Sequence, residues 1–384
     1  MKIAVLVSGG VDSAVVVHRL VAEGHDLHLF YIRIGMDNGE GDCSAEEDIE
    51  MCQLIARKYG LPLQVVSLHE EYWDYVMDYA LKTVKAGLTP HPDMMCNKMI
   101  KFGFFEQRWG KDFDKTATGH YASIKERDGR LYLATAADPV KDQTDFLAAI
   151  SYDQLSHLLF PLGDLPKSEV RRIASEAGLP NASRKDSQGI CFLGKINYND
   201  FIRRHLGERP GPVVEIETGR KIGGHKGYWF HTIGQRKGLG LSGGPWYVVR
   251  KNVRDNVVYV SNGYGTGKQY GRTIHLQEMH WISADPFEED SLGMRCGDGI
   301  RIAFKNRHSP QFIQADMVPV PGGGYVIESE SDVQGIAPGQ YAVVYTPDTA
   351  LCLGSGMISS EPPRQRKHKK ANSENLSICD TDSM

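Results

Sequence analysis

Over the first third of the chain, apolar and polar positions alternate in blocks of two periods. The run Ile3-Ala4-Val5-Leu6-Val7 has the continuous apolar character of a buried strand, and the segment after it repeats at helical spacing. Extended along the chain, the pattern predicts strands over 2–7, 27–32, 63–67 and 115–118. It predicts helices over 12–23, 44–59, 70–84 and near 97–109. Gly24, Gly60-Leu61-Pro62 and Gly110 punctuate the helix ends. Strands separated by helices of this length imply an α/β fold with a doubly wound parallel sheet covered on both faces. Ligands in such sheets bind beyond the carboxyl ends of the strands, where the 8–13 turn and His120 fall.

From 142 to about 206 the pattern is helical, with a helix start at Pro166-Lys167-Ser168-Glu169-Val170 and an end at Ala177-Gly178-Leu179-Pro180. After Gly207-Glu208-Arg209-Pro210-Gly211-Pro212 it changes to short apolar runs broken by glycines. The reading is a catalytic unit over 1–206, a small central domain over 207–272 and a C-terminal β-barrel over 273–360, with strands near 300–304, 324–328 and 342–346. The polar end, 361–384, cannot bury a core and is expected to be a disordered, solvated tail despite its basic run over 364–370.

A length of 384 residues suits two or three domains, and 41% hydrophobic residues are ample for their cores. No apolar run approaches the ~20 residues of a membrane span, and a strand begins directly after Met1-Lys2. A cytosolic protein with no membrane partner is therefore expected; that it is a monomer is an expectation that no sequence feature decides. The net charge of −4 gives no global attraction to nucleic acid, so any RNA contact must come from local basic patches. Seven cysteines without a C-x-x-C pair are no disulfide framework.

Ser8-Gly9-Gly10-Val11-Asp12-Ser13 joins the first strand to a helix N-terminus, where unpaired N–H groups and the positive dipole end suit phosphate. The glycines let an anion approach the backbone, and Ser8 and Ser13 add hydroxyls. Without a Gly-Lys-Ser/Thr ending this is not the usual nucleotide P-loop. Asp12 is placed either to hold Mg²⁺ on the phosphates or to cap the helix. In Thr89-Pro90-His91-Pro92-Asp93-Met94-Met95-Cys96-Asn97-Lys98, the prolines argue against regular structure before Asp93. That puts Cys96 near a first helical turn, where the dipole favours thiolate, with Lys98 and Lys101 close in sequence. Asp93 is spaced as both cap and proton-transfer group. A lone cysteine is more often a buried structural residue, but Arg184-Lys185-Asp186-Ser187-Gln188-Gly189-Ile190-Cys191 sets a second one in a polar, basic segment. Two such cysteines suit sulfur transfer, one carrying a persulfide and the other resolving it as a disulfide.

The S-G-G-x-D-S string resembles the PP-loop of the N-type ATP pyrophosphatases. Read with P-D-x-x-C-N-K, A-T-G-H-Y-A (117–122), K-D-Q-T (141–144), D-S-x-G-I-C-F (186–192), T-I-G-Q-R-K-G-L-G (232–240), P-W-Y-V-V (245–249) and A-P-G-Q (337–340), in that order, the chain resembles the bacterial tRNA-specific 2-thiouridylases of the MnmA type over residues 1 to about 358. The resemblance implies thiolation at C2 of a tRNA wobble uridine. The oxygen is adenylated by ATP with Mg²⁺, Cys191 carries the persulfide, Cys96 is the nucleophile that leaves a Cys96–Cys191 disulfide, and Asp93 is the acid/base candidate. ATP would meet Leu6, Val7, Ser8, Gly9, Gly10, Val11, Asp12 and Ser13, with Ile32 near the adenine and Gly119. The target base would meet His91, Pro92 and Asp93. Further tRNA contacts would come from His120, Lys141, Asp142, Gln143, Arg236, Lys237, Arg307, His308 and Gln340. The partners implied are tRNA and an upstream persulfide donor, a cysteine desulfurase or relay protein.

Four positions depart from the family pattern: His91 replaces the usual Asn, Ile32 a Met, Asp145 an aromatic, and His308 the aromatic after the retained Arg307. These put local tRNA contacts in doubt and leave the chemistry untouched. Cys43, Cys52, Cys296, Cys352 and Cys379 read as structural or incidental. The alternatives are a PP-loop amidating synthetase, a non-catalytic tRNA-binding protein, and a variant in which Asp93, Cys96 and Cys191 hold an iron–sulfur cluster.

Overall fold

The computed structural model describes residues 1–35, 43–185, 198–264, 266–321 and 323–361. Strands β1 (Lys2–Leu6), β2 (Asp26–Arg33), β3 (Leu63–Ser67) and β4 (Lys115–Ala117) lie within a residue or so of the predicted bounds. So do helices α1 (Val11–Ala22) and α2 (Cys43–Tyr59). The sheet is parallel throughout, in the order β3-β2-β1-β4 followed by the short strand Leu158–Leu159. That last strand falls in the stretch predicted to be helical, because two residues carry no readable period. The order reverses between β1 and β4, and the loops after these two strands flank the resulting crevice. Ile3, Val5, Val15 and Leu29 are wholly buried between sheet and helices.

The predicted helix over 70–84 runs from His69 to Lys85 and widens to π-type turns over Tyr72–Met77. The next helix begins earlier than predicted. It starts at Pro92, continues as π-type turns over Cys96–Phe104 and closes over Phe105–Arg108. Proline lacks the N–H that a first helical position does not use, so Pro92 opens this helix instead of forbidding it. π-type turns are uncommon and recur at functional sites.

A four-stranded sheet, Trp246–Asn252, Val257–Asn262, Gly211–Glu215 and Lys221–His225 in that order, forms the central unit. The C-terminal unit is a closed barrel of six strands. Tyr270–Trp281 pairs with both Tyr325–Gln334 and Leu351–Ser359, which closes the ring. The hairpin Ser123–Arg127/Arg130–Ala134 leaves the catalytic unit and joins this barrel, Ala134 standing opposite Leu351. Met94, Phe102, Leu147, Ile150, Val343 and Tyr345 form one core cluster that fuses the two units. The predicted tail beyond 361 lies outside the described residues.

Candidate active site and tRNA interface

The loop after β1 is built as a cradle. Gly9 has φ +71°, and a Cβ there would lie 2.8 Å from the carbonyl of Asp48, so only glycine fits. Its carbonyl accepts from Asn181 Nδ2 at 2.9 Å and Arg184 Nη1 at 3.1 Å, and Arg184 also pairs with Asp48 at 2.6 Å. The Ser13 hydroxyl accepts the Ser8 N–H at 3.2 Å and donates to the Gly10 carbonyl at 3.1 Å. Gly10 is the N-cap of α1, and no side chain caps this end. From the loop after β4, Gly119 packs on the start of α1, where a Cβ would stand 3.1 Å from the Ser13 nitrogen. Leu6 is the last residue of β1 and Ile32 the last but one of β2. Val7 and Val11 are buried and can offer a ligand only their backbone.

Asp12 does not cap α1. Its carboxylate takes the Lys167 ammonium at 2.7 and 2.8 Å and the Tyr121 hydroxyl at 2.8 Å. The sequence reading missed Lys167, Tyr121, Asn181 and Arg184 as parts of this site. Lys167 appeared there only within a helix-start segment.

A second centre is a cavity of about 450 Å³ where the three units meet. His91, Pro92, Asp93 and Asp145 line it from the catalytic unit, and Trp229, His231 and Gln235 from the central one. Lys305, Arg307, His308, Gln340 and Tyr341 come from the barrel. Six of the residues expected to meet tRNA are thus gathered in one place. His91, not Asp93, caps the helix, its Nδ1 accepting the Met94 N–H at 3.3 Å. Burial pushes the His91 imidazole below its ordinary value. Gly339 of the A-P-G-Q segment lets the barrel backbone press on the loop before His91. A Cβ there would be 2.7 Å from Leu88 and 2.9 Å from Thr89, and Thr89 N–H donates to Pro338 at 2.8 Å.

Cys96 is not in the first helical turn. Its N–H already bonds to the Pro92 and Asp93 carbonyls, so the end-of-helix argument for its thiolate does not hold. The side chain is 1% exposed, among Phe30, Leu68, Tyr72 and Ile100, and does not line the cavity. Cys191 lies outside the described residues. Burial pushes the Cys52 thiol up to about 12, in keeping with a structural role.

The tRNA contact expected of Asp142 is corrected. It is 2% exposed, pairs with the equally buried Lys305 at 3.2 Å, and accepts from Ala136 N and Thr144 Oγ1. Its charge is spent inside the protein. Gln143 accepts the Tyr121 N–H at 3.0 Å, and Lys141 lies in the same turn. His120 bonds Thr118 at 2.8 Å between the rings of Phe102 and Phe160, and burial drives its imidazole well toward the neutral form. It supplies no cation. The 232–240 segment is divided: Thr232 and Gln235 face the cavity, while Arg236 and Lys237 are exposed, Arg236 lining a separate open groove beside Trp246 and Tyr264. Two of the positions that depart from the family pattern meet each other, His308 Nδ1 standing 2.9 Å from Asp145 Oδ2. Among the described residues, no group of three or more His, Cys, Asp or Glu is arranged to hold a metal, and no helix is long and apolar enough to cross a membrane.

Comparison with known proteins agrees with this division. Residues 1–195 match the family model for a tRNA methyl transferase HUP domain, 199–262 the corresponding PRC-barrel domain, and 271–358 an aminomethyltransferase β-barrel domain. The tRNA-specific 2-thiouridylase MnmA 1 of Bacteroides thetaiotaomicron is 59% identical over 360 residues, which is 94% of this chain and all of that protein. The tRNA-specific 2-thiouridylase MnmA of Parabacteroides distasonis is 60% identical over 94% of this chain and 99% of its own. Among solved structures, the U34-tRNA thiolase NcsA of Methanococcus maripaludis, with its [4Fe-4S] cluster, is a distant likeness. It is 17% identical over 53% of this chain and 64% of its own, with a TM-score of 0.34. With relatives this similar matching along nearly the whole length, through loop, cavity and barrel alike, the chain belongs to the family of tRNA-specific 2-thiouridylases.

Proposed function

We propose that this protein is an ATP-dependent tRNA sulfurtransferase that makes 2-thiouridine at the wobble position. The observation that carries the reading is the junction cavity, which sets His91 and Asp93 beside Arg307, His308 and Gln340 from the far end of the chain. A cavity of that size, lined by both aromatic and polar side chains and with Arg307 exposed at its rim, suits a base taken out of the anticodon stack. Arg307 at the rim and Arg236 and Lys237 on the exposed loop are the groups available to tRNA phosphates, contacts that position without reading sequence.

ATP is read into the loop of residues 8–13, with Ile32 beside the adenine. The uracil O2 attacks the α-phosphorus, the bond to the β-phosphate breaks, and pyrophosphate leaves against the α1 N-terminus and Lys167. Asp12, the loop's own carboxylate, would hold Mg²⁺ on the nucleotide phosphates only by sharing its oxygens with Lys167 and Tyr121. The terminal sulfur of a Cys191 persulfide then attacks C2 and AMP leaves. The Cys96 thiolate attacks the Cys191 sulfur, releasing 2-thiouridine and leaving a Cys96–Cys191 disulfide. An external reductant resets the disulfide and a persulfide donor reloads Cys191. Asp93, one helical turn before Cys96, is the proton carrier for that thiol. The burial of Cys96 means that this last step requires its cover to open.

The test is mass spectrometry of tRNA nucleosides after incubation with ATP, Mg²⁺ and a persulfide source, with the nucleotide products assayed alongside. 2-Thiouridine with AMP and pyrophosphate is expected. ADP as the product would overturn the adenylation step. Full activity of Cys96→Ser would overturn the two-cysteine scheme.

A further inference from the structure

Asp145 is 2% exposed, yet one of its two carboxylate oxygens has no hydrogen-bond partner among the described residues. A buried acceptor left without a donor is costly, and in a native protein it calls for an explanation. The other oxygen is fixed by His308 Nδ1 at 2.9 Å, and the His308 ring lies against Phe146, centroids 4.8 Å apart. That contact sets the orientation of the carboxylate in this structure. Asp145 lines the junction cavity, and so does a second side chain in the same condition: His231 is 9% exposed and its Nδ1 is also unpartnered. Burial pushes the His231 imidazole down to about 4, so it is a neutral ring. Both side chains line one cavity, their unpartnered atoms out of water's reach, and a polar ligand that displaces part of that lining would complete them.

We infer that Asp145, held by His308, is the group that reads the target base, accepting the N3–H of uracil and taking that proton as the O2 oxygen is adenylated. This rests on the reading of the cavity as the base site. Uracil presents a donor at N3 between its two carbonyls. Cytosine presents an acceptor there, which a fixed carboxylate oxygen repels. A site built to pair one hydrogen-bonding group rejects the analogue that lacks it, because its own polar group is then left unpaired.

The chemistry also needs an acceptor at this atom. When O2 forms its bond to the α-phosphorus, the N3–H electron pair becomes the C2=N3 double bond. The proton passes to the unpartnered Asp145 oxygen and pyrophosphate leaves with the electrons of the broken P–O bond. The C2=N3 bond persists while the persulfide sulfur replaces AMP, and the proton returns to N3 when Cys96 breaks the S–S bond and C2=S forms. The proton transfer itself involves no redox change; the electron pair that frees the sulfur comes from the Cys96 thiolate, which ends in the disulfide. His308 is a positioning residue, and Asp93 keeps its separate place beside Cys96. Both halves of the pair depart from the family's usual aromatic residues, so this is a feature of the present chain and of relatives that carry the same two residues.

The experiment compares wild type, Asp145→Asn, Asp145→Ala and His308→Gln. The readouts are tRNA-dependent AMP release in a single turnover, tRNA affinity by filter binding, and folding by circular dichroism and melting. Substrates are transcripts with uridine, cytidine or 3-methyluridine at the wobble position. Wild type should act on uridine alone. The near-isosteric Asn variant can still accept the N3–H but cannot keep the proton. It should hold tRNA affinity within about threefold and lose at least about a hundredfold in the rate of AMP release. Asp145→Ala should in addition lose its preference for uridine over cytidine in base-dependent binding. His308→Gln should slow AMP release by about tenfold without changing the KM for tRNA. Asp145→Asn at the wild-type rate would overturn the assignment while leaving the thiolation reading intact. So would loss of tRNA binding or of folding in that variant, since the residue would then be structural. Wild type that yields no 2-thiouridine or AMP would overturn the thiolation reading itself, and this inference with it.

Discussion

The proposed nucleotide site takes eight consecutive positions, 6–13, with Ile32 and Gly119, whereas the junction cavity takes its walls from three units of the chain. The loop is braced by local geometry: a left-handed glycine, a hydroxyl turned back on its own backbone, and two cations pinned from outside. The cavity depends on the barrel being held against the catalytic unit, by their shared core, by the buried Lys305–Asp142 pair and by the close approach at Gly339. Damage to the loop should therefore spoil chemistry and spare the fold. Damage to the junction should spoil the fold and the base site together.

The sharpest way to break that contrast is Lys305→Met. The ammonium also lies 4.2 Å from the centre of the Phe312 ring, and both partners of its ion pair are almost wholly buried. Removing it strands the Asp142 charge, and such losses cost about 3–5 kcal/mol. Urea denaturation should show that loss, and base-dependent tRNA binding should fall with it. A loss below about 1 kcal/mol would mean that the junction is held by something else.

On the loop side, Asp12→Ala and Lys167→Ala should each lower tRNA-dependent AMP formation by about 10²–10³, the scale of losing a preorganised charge at a developing anion. Melting temperature and tRNA affinity should stay near wild type. If either variant weakened tRNA binding as much as it slowed AMP release, the loop and the cavity would not be separable.

Legibility in the sequence follows the same line. The strands and helices of the parallel sheet could be read because their period is local, and S-G-G-V-D-S could be read because its residues are adjacent. Pro92 was misread because a proline at the first helical position looks, without coordinates, like one that breaks a helix. The hairpin over 123–134 gave no sign that it belongs to the barrel, since its partner strand is Leu351–Ser359. The pairing of Asp145 with His308 spans 163 positions. Each residue could be seen as a departure from pattern, but only the fold shows that the two departures are one interaction. Asp142 misled for a related reason: a carboxylate in a motif looks like a contact, and only burial reveals that its partner is internal.

Gly339→Ala should act on the junction with a smaller effect. The residue has φ +91°, and its missing Cβ would meet backbone and Leu88 at under 3 Å, so the barrel must retreat from Thr89. Strain of this kind costs about 1–3 kcal/mol. The KM for tRNA should rise, while any AMP formed at saturating tRNA should appear at a rate close to wild type. A KM equal to wild type would detach the A-P-G-Q segment from the base site.

The smallest effect expected is the pH dependence of the His308–Asp145 contact. The hydrogen bond to Asp145 raises the His308 imidazole above its ordinary value of 6.5. Burial and Lys305 oppose that rise, Asp142 assists it, and His91 faces the same cavity from the helix side. Because the folded value is raised, the contact's stabilisation is fully present below the ordinary imidazole value and is lost as pH climbs through the raised one. His308 is 46% exposed, so solvent screening keeps the contribution below about 1 kcal/mol. The measurement is the difference in denaturation free energy between wild type and His308→Gln across pH 5.5 to 9, all at one ionic strength. The difference should favour wild type at the acid end and shrink toward alkaline pH. A difference that grows with pH would mean that His308 is neutral in the folded protein. Asp145 would then be held by a weaker bond, and the junction would be as insensitive to proton concentration as the glycine geometry of the loop.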